Sequence, residues 1–353
     1  LGTEKLKKKQ FKAKFKRIIV DEYQDISRGR YRFLKAIIDN QTDCRIMCVG
    51  DDWQSIYAFN GSDIKYTFDF DKIFGKTARV DLDKSFRFSQ PILDVSSRFI
   101  QRNPFQLKKE ITSRPSKIKK AIEIINLDYG EENSLLNIFE AINSIRPKNT
   151  KWNVYLLGRY KRIAKKNNIF PEVPKEMKSK FKSLNFEFMT IHKSKGLGAD
   201  AIIVLNLDAG KYGFPGYIEN DPIMNLVRPG EQDFKNAEER RVLYVAMTRA
   251  KQKVIFCTNS YFPSEFIDEL KTYPEVSFDE KTVINKSYLP CPSCSNGKLY
   301  LKKPKRINGY AWRCSLEPYC IGKAKFCTYC KKYPAVNSNR CIDPECEDSR
   351  IYK

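Results

Sequence analysis

The chain has 353 residues, 41% hydrophobic and 13% aromatic, which suits two or three globular domains and excludes a disordered chain. No apolar run reaches the roughly 18 residues of a membrane span and no signal-peptide pattern opens the sequence, so no membrane partner is expected. Its 65 basic and 42 acidic residues leave a formal charge of +23, and a polyanion becomes the expected partner because basic surface gains from counterion release on nucleic acid.

After a basic lead, Ile18-Ile19-Val20 forms a short apolar run ending in carboxylates, and Cys44 to Val49 does the same before Gly50-Asp51-Asp52. Between them Tyr31, Leu34, Ile37 and Ile38 recur at helical spacing. Short apolar strands alternating with amphipathic helices predict a parallel α/β sheet, whose ligands bind beyond the carboxyl ends of strands, where both acidic clusters fall. A second alternating unit follows, with a strand near Ala78–Leu82 and a helix opening at Ser89-Gln90-Pro91 with Ile92, Val95 and Phe99 on one face. Further strands are expected at Val154–Leu157, Phe188–Ile191, Ala201–Leu207 and Val254–Thr258, with a helix over Ala237–Ala250 and a charged connection over 165–187. Leu1 rather than Met opens the chain and a strand-like run follows almost at once, so an upstream part is expected to precede it.

An Ile/Val strand running into Asp21-Glu22 is what an NTPase needs: one carboxylate holds Mg²⁺ and its neighbour orients the attacking water. Alone, that pair fits a surface acidic turn equally well. The longer strings decide. Asp21-Glu22-Tyr23-Gln24-Asp25 and Gly50-Asp51-Asp52-Trp53-Gln54-Ser55-Ile56-Tyr57 resemble motifs II and III of the UvrD/Rep-type superfamily 1 DNA helicases. Leu82-Asp83-Lys84-Ser85-Phe86-Arg87 resembles motif IV, Val154 to Arg159 the strand after it, Met189 to Leu197 motif V, and Arg240 to Ala250 motif VI. All stand in that family's order and cover roughly residues 15–260, and the Gly50 to Gln54 variant with Arg98–Leu107 is most similar to the bacterial helicase IV branch.

The resemblance implies roles. Asp21 would hold Mg²⁺, Glu22 would activate water, Gln54 would sense the γ-phosphate of ATP, and Arg87 and Arg249 would neutralise transition-state charge. Arg249 has separate support: it continues the stripe Val242, Val245, Ala246 at helical spacing, and an arginine on an apolar stripe needs an anion, either a structural carboxylate or a ligand. Tyr57 and Phe59 would stack on single-stranded bases, and Thr190 and His192 would touch the DNA backbone or couple it to ATP. Asn60 and Gly198 replace the arginine and glutamate usual in the family, and only about a hundred residues separate motifs IV and V, too few for a large 2B insertion. Gly75-Lys76-Thr77 imitates the end of a phosphate loop, but Phe70 occupies the position that needs glycine, and no other GKT or GKS occurs. The phosphate-binding loop is therefore expected in the missing N-terminal region, and this chain alone is expected not to turn over ATP.

Cys44, Cys48 and Cys257 lie in apolar runs and are expected as buried free thiols, while eight cysteines crowd into positions 291–346. Cys291, Cys294, Cys314 and Cys320 form one set of paired spacings, and Cys327, Cys330, Cys341 and Cys346 a second. Such pairs beside lone thiols predict two tetrahedral Zn²⁺ sites in a reducing cytoplasm rather than disulfides. The first set resembles the zinc ribbons of bacterial type I topoisomerases. Residues 287–353 hold 13 basic and 5 acidic side chains, so the tail stays basic even with two Zn²⁺ and eight thiolates. Tyr300, Tyr310, Trp312 and Tyr319 interleave with those charges, which suits single-strand or junction binding, although a folding staple would need the same cysteines.

The expected architecture is α/β: two RecA-like parallel-sheet domains, the first partial (1–77) and the second over 78–286, then a small zinc-ribbon domain over 287–353. The expected activity is that of an ATP- and Mg²⁺-dependent 3′-to-5′ helicase acting on single-stranded or partly duplex DNA. The competing expectation is a non-catalytic DNA-binding remnant or a split subunit of such a motor.

Overall fold

The computed structural model describes residues 13–126, 134–161, 173–208, 213–216, 234–258 and 263–278, and in the tail 291, 293–294, 299–302, 311–314, 316, 320–326, 334–336 and 340–341. Strands β1 (Arg17–Val20) and β2 (Arg45–Cys48) pair in parallel with Ile18 opposite Ile46. Helix α1 (Arg28–Asp39) connects them, capped by Ser27, whose hydroxyl accepts from the Arg30 amide. Ile18, Val20, Ile46 and Cys48 face a small core built on Tyr23, Leu34 and Tyr66, while the alternate residues Ile19 and Met47 are exposed. The period of two thus buries only one face of this pair, and Cys44 and Cys48 are half-buried rather than buried as expected.

The chain forms no regular element over 78–83, with Val80 and Leu82 more than 80% exposed, so the strand expected there lies further on. It is β3 (Lys84–Ser89), parallel to β4 (Thr112–Arg114). Apolar character alone misplaced it, because neither residue finds a sheet neighbour. Helix α2 (Gln90–Gln101) opens with proline in its first turn, as expected, and buries Ile92, Val95 and Phe99.

The main sheet holds β5 (Ile122–Asn126), β6 (Trp152–Gly158), β7 (Leu184–Thr190), β8 (Ala199–Leu205), β9 (Ala250–Thr258) and β10 (Val276–Phe278). All six are parallel in the order β10-β5-β9-β8-β6-β7. Along β8, Ile202 and Val204 pack into the core beneath Trp53, Ile56 and α2, and Ala201, Ile203 and Leu205 into the opposite core with Ile138, Phe139 and Ile142 of α3 (Ser134–Ile145). Both faces are covered, which is why the strand reads as an unbroken apolar run.

Two boundaries depart from expectation. The described part of 165–187 is not a mere connection: it carries helix α4 (Lys175–Lys180) and the start of edge strand β7, whose Leu184 is buried and whose exposed residues hide its pattern. Helix α5 (Ala237–Met247) ends before Arg249, which sits in the turn into β9. Five antiparallel strands follow in sequential order, β11 (Leu299–Lys302), β12 (Ala311–Cys314), β13 (Lys323–Phe326), β14 (Pro334–Val336) and β15 (Arg340–Cys341). Among the described residues no helix is long and apolar enough to cross a membrane.

Candidate functional site

Asp21 and Glu22 follow β1 at its carboxyl end and are exposed to solvent. The Asp21 carboxylate accepts the Glu22 amide at 2.9 Å, and Glu22 adopts a left-handed backbone, φ 49°. For a non-glycine residue this conformation costs on the order of 1–3 kcal/mol and is tolerated where the surroundings enforce it. Gln24 supplies the enforcement. It is fully buried, its amide donates to the Glu22 carboxylate, and its side-chain oxygen accepts the Asp51 amide at 2.9 Å. A Cβ at position 50 would stand 2.5 Å from that oxygen, so Gly50 is required for the two acidic turns to meet.

Asp51 and Asp52 follow β2 at the equivalent end. Gln54 donates to Asp51 Oδ2 at 2.6 Å, and its oxygen accepts from Arg249 Nη2 at 3.2 Å. Arg249 is 0% exposed and also reaches the carbonyls of Val245 and Leu197 at 3.1 and 3.3 Å. Among the described residues it forms no salt bridge with a carboxylate. Burial and the nearby Arg87 charge pull its pKa down to about 10, so it stays protonated at neutral pH in a setting that disfavours its charge. A phosphate oxygen would relieve that setting, and the exposed Arg87 would share it. Asp21, Glu22, Gln54 and Arg249 thus fit Mg²⁺ and the terminal phosphate of ATP. The lysine and hydroxyl of a phosphate loop are absent from the 353 residues, and Gly75-Lys76-Thr77 forms an exposed turn.

Lys195, within the Met189 to Leu197 string, has its ammonium 2.5 Å from Asp25 and 2.9 Å from the Gln54 carbonyl, tying the second sheet to both acidic turns. Arg241, almost fully buried, donates to the Ser55 carbonyl at 2.6 Å and to Gln106 at 3.0 Å. Gln106 in turn donates to the buried Asp52 at 2.7 Å, and Lys109 places its ammonium 2.6 Å from Asp51 and 2.5 Å from Asp52. Burial works against the Lys109 charge, but Asp51 and Asp52 raise its pKa above the ordinary lysine value. Sequence reasoning gives Gln24, Gln106, Lys109, Lys195 and Arg241 no role because polar residues without periodicity reveal no burial; their place in the family-like strings is the only signal for Gln24, Gln106, Lys195 and Arg241, and Lys109 has none.

Tyr57, Phe59 and His192 form one ring cluster, with Phe59 5.3 Å and Tyr57 6.0 Å from the imidazole. Phe59 is 38% exposed and available for stacking, whereas Tyr57 is half-buried, donates to the His192 carbonyl and lies under the Lys195 ammonium. His192 Nε2 donates to the Ile56 carbonyl at 3.1 Å and Nδ1 faces Arg159 at 3.5 Å. Burial, then the Arg159 charge, pushes its pKa down to about 4, so the ring is neutral. Thr190 is half-buried and its hydroxyl caps the short helix Ile191–Ser194 by accepting the Lys193 amide.

In the tail, the Cys291, Cys294, Cys314 and Cys320 sulfurs lie within 4.8 Å of one another. Cys291–Cys320 and Cys294–Cys314 are 3.7 Å apart, too long for disulfides and close to the ~3.8 Å edge of a tetrahedron with 2.3 Å Zn–S bonds. The amides of Ser293, Leu316 and Gly322 each donate to the sulfur two residues earlier, which favours thiolate. A Cβ at Gly322 would stand 2.3 Å from the Cys291 sulfur. The four could hold a metal, and their donor set and spacing fit Zn²⁺. Cys327, Cys330 and Cys346 lie outside the described residues, as does the side chain of Cys341.

Two family models match the chain: the UvrD/REP helicase N-terminal domain over residues 3–75 and the UvrD-like helicase C-terminal domain over 161–261. DNA helicase IV of Escherichia coli is a homologue, 37% identical over 266 residues, covering 75% of this chain and 37% of that protein. DNA helicase II of Rickettsia typhi is 35% identical over 98 residues, covering 27% of this chain and 14% of that protein. The ATP-dependent DNA helicase UvrD1 of Mycobacterium tuberculosis is 31% identical over 106 residues, covering 29% and 14% respectively. The matched part of this chain spans 37% of the length of DNA helicase IV and 14% of each of the other two relatives.

Proposed function

We propose that the chain is part of the motor of an ATP-dependent DNA helicase that moves 3′-to-5′ on single-stranded DNA. The observation that carries the reading is Arg249: a fully buried cation hydrogen-bonded to Gln54, with no carboxylate salt bridge among the described residues, beside the acidic turns of Asp21-Glu22 and Asp51. In the family that the matches identify, such a group meets a transferring phosphate. Residues 1–77 and 78–286 would act as the two motor lobes, and 287–353 as a zinc-binding domain with two four-cysteine sites. When bound, ATP with Mg²⁺ supplies the phosphoanhydride whose cleavage drives the cycle. Glu22, held by Gln24, would accept the proton of the attacking water; Asp21 would hold the metal's water shell; Arg87 and Arg249 would neutralise developing charge. Phe59 would stack on bases and Thr190 and His192 would border the backbone path. The lone thiols Cys44, Cys48 and Cys257 beside the paired cysteine spacings of the tail suit a reducing, cytoplasmic setting.

The second reading is a non-catalytic DNA-binding remnant or a split subunit of such a motor, since the 353 residues hold the carboxylates and arginines of the site without a phosphate loop. The test has two arms. DNA-stimulated phosphate release by this chain alone should be at background, and robust turnover would overturn the reading of the nucleotide site. Fluorescence anisotropy should show binding of labelled single-stranded DNA, weakened about 5–150-fold by Phe59→Ala, given roughly 1–3 kcal/mol per stacked base. No binding would overturn the motor reading.

A further inference from the structure

The aromatic residues of the tail invited the expectation that they stack on bases. Trp312 does not: it is 1% exposed and packs with Leu299, Cys291 and Cys314 in the metal-site core. The register of β11, β12 and β13 separates two faces. Leu299, Trp312, Cys314 and Ala324 occupy the inner one. Arg313 and Lys323 are direct cross-strand partners on the outer face, joined by Lys325 two residues along β13. Arg313 is half-exposed, both lysines are exposed, and none forms a salt bridge among the described residues. Ile321, two residues before Lys323 and 79% exposed, extends the same row.

These three strands contain four basic residues, Lys302, Arg313, Lys323 and Lys325, and no acidic one. Four of the tail's five acidic residues instead gather at Asp343, Glu345, Glu347 and Asp348. Like charges directly opposite on a sheet are destabilising. Strand spacings of about 4.8 Å across and about 7 Å along put the three described cations within the ~8–10 Å Debye length, so they repel one another until an anion intervenes. A single exposed apolar residue makes a poor protein-docking patch, whereas a row of cations at this spacing matches a chain of phosphates.

We propose that the outer face of this sheet, through Arg313, Lys323 and Lys325, binds the phosphate backbone of single-stranded DNA as a second contact alongside the motor track. This rests on the helicase reading for its choice of DNA. The test is anisotropy with labelled oligo-dT over a salt series, using the full zinc-loaded chain and the triple variant Arg313→Gln, Lys323→Gln, Lys325→Gln. With about 0.7 counterions per phosphate contact, the slope of log affinity against log salt should fall by about 2, and affinity in low salt by about 10-fold or more. Unchanged zinc content by elemental analysis shows that the variant is folded; if zinc is lost, the exposed single change Lys325→Gln replaces it, with a slope loss of about 0.7. An unchanged slope in a zinc-loaded variant overturns the proposal, and does so separately from the motor reading if Phe59→Ala still weakens binding. Competition by poly-glutamate as effective as by oligo-dT would also overturn it, by showing a site for any polyanion.

Discussion

At the junction of the two sheets Lys109, Lys195, Arg241 and Arg249 are largely buried and hydrogen-bonded or ion-paired to named acceptors, while Arg313, Lys323 and Lys325 stand on the outer face of the cysteine module without a carboxylate among the described residues. The same residue types therefore do different physical work. A buried cation fixes geometry, because breaking its pairing leaves an uncompensated charge in a poor solvent. An exposed one adds little to stability and acts through salt-dependent attraction. The two regions also differ in what folds them: the junction is a continuation of a large apolar core, whereas the described core of the module is Cys291, Leu299, Trp312 and Cys314 with Cys294, Leu316, Cys320 and Ala324 packed against them.

The largest expected effect separates the regions outright. Stripping metal with a chelator at neutral pH should unfold the module, since structural Zn²⁺ contributes roughly 10–16 kcal/mol in comparable small sites. Thiol titration should find the Cys291, Cys294, Cys314 and Cys320 sulfurs newly reactive, while the thermal transition of the main sheet stays in place. Loss of both together would mean that the module is not an independent metal-dependent unit. Next in size, Lys109→Met strands the carboxylate of Asp52, which is 1% exposed, and should cost about 3–5 kcal/mol in urea unfolding. Lys325→Met, on the outer face, should change stability by less than about 0.5 kcal/mol. Equal costs would erase the distinction between paired and solvated cations.

A pH dependence at the junction separates the regions by titration rather than by truncation. His192 has a folded pKa of about 4 against about 6.5 unfolded, so between those values the unfolded state binds more protons. Its contribution is complete above pH 6.5 and declines as pH falls towards 4. His192→Gln should flatten that part of the stability curve; an unaltered slope would mean that the imidazole is not held neutral by burial and the Arg159 charge.

Much of this was legible in the residues. The apolar runs located β6, β8 and β9 because covered parallel strands leave unbroken Val, Ile and Leu; β1 and β2 showed the same kind of run although one face of each is exposed, and α2 announced itself by Pro91 and a helical stripe. The run at Val80 and Leu82 misled because apolar residues need a neighbour to become a strand, and these have none. Arg249 was expected on a helix; it lies just past the end of α5, yet its Nε still reaches Val245, so the helical stripe pointed to the right neighbours from the wrong element. Trp312 illustrates the reverse failure, since an aromatic among lysines reads as a stacking surface until strand register turns it inward.

The sequence by itself determined the chemistry available: a carboxylate pair after a strand, a glutamine and two arginines suited to a phosphate, four cysteines spaced for one metal and a strongly basic tail. Those properties depend on residue type and short spacing, which survive without coordinates. Only the tertiary structure decided which groups are buried and which partner holds each. Lys109 on Asp51 and Asp52, Arg241 on Ser55 and Gln106, and Lys195 on Asp25 join residues 57 to 186 positions apart, which no local pattern records. The Asp21-Glu22 turn is placed by such contacts: Gln24 and Gly50 hold it against the second acidic turn, and Lys195 joins it to the second sheet.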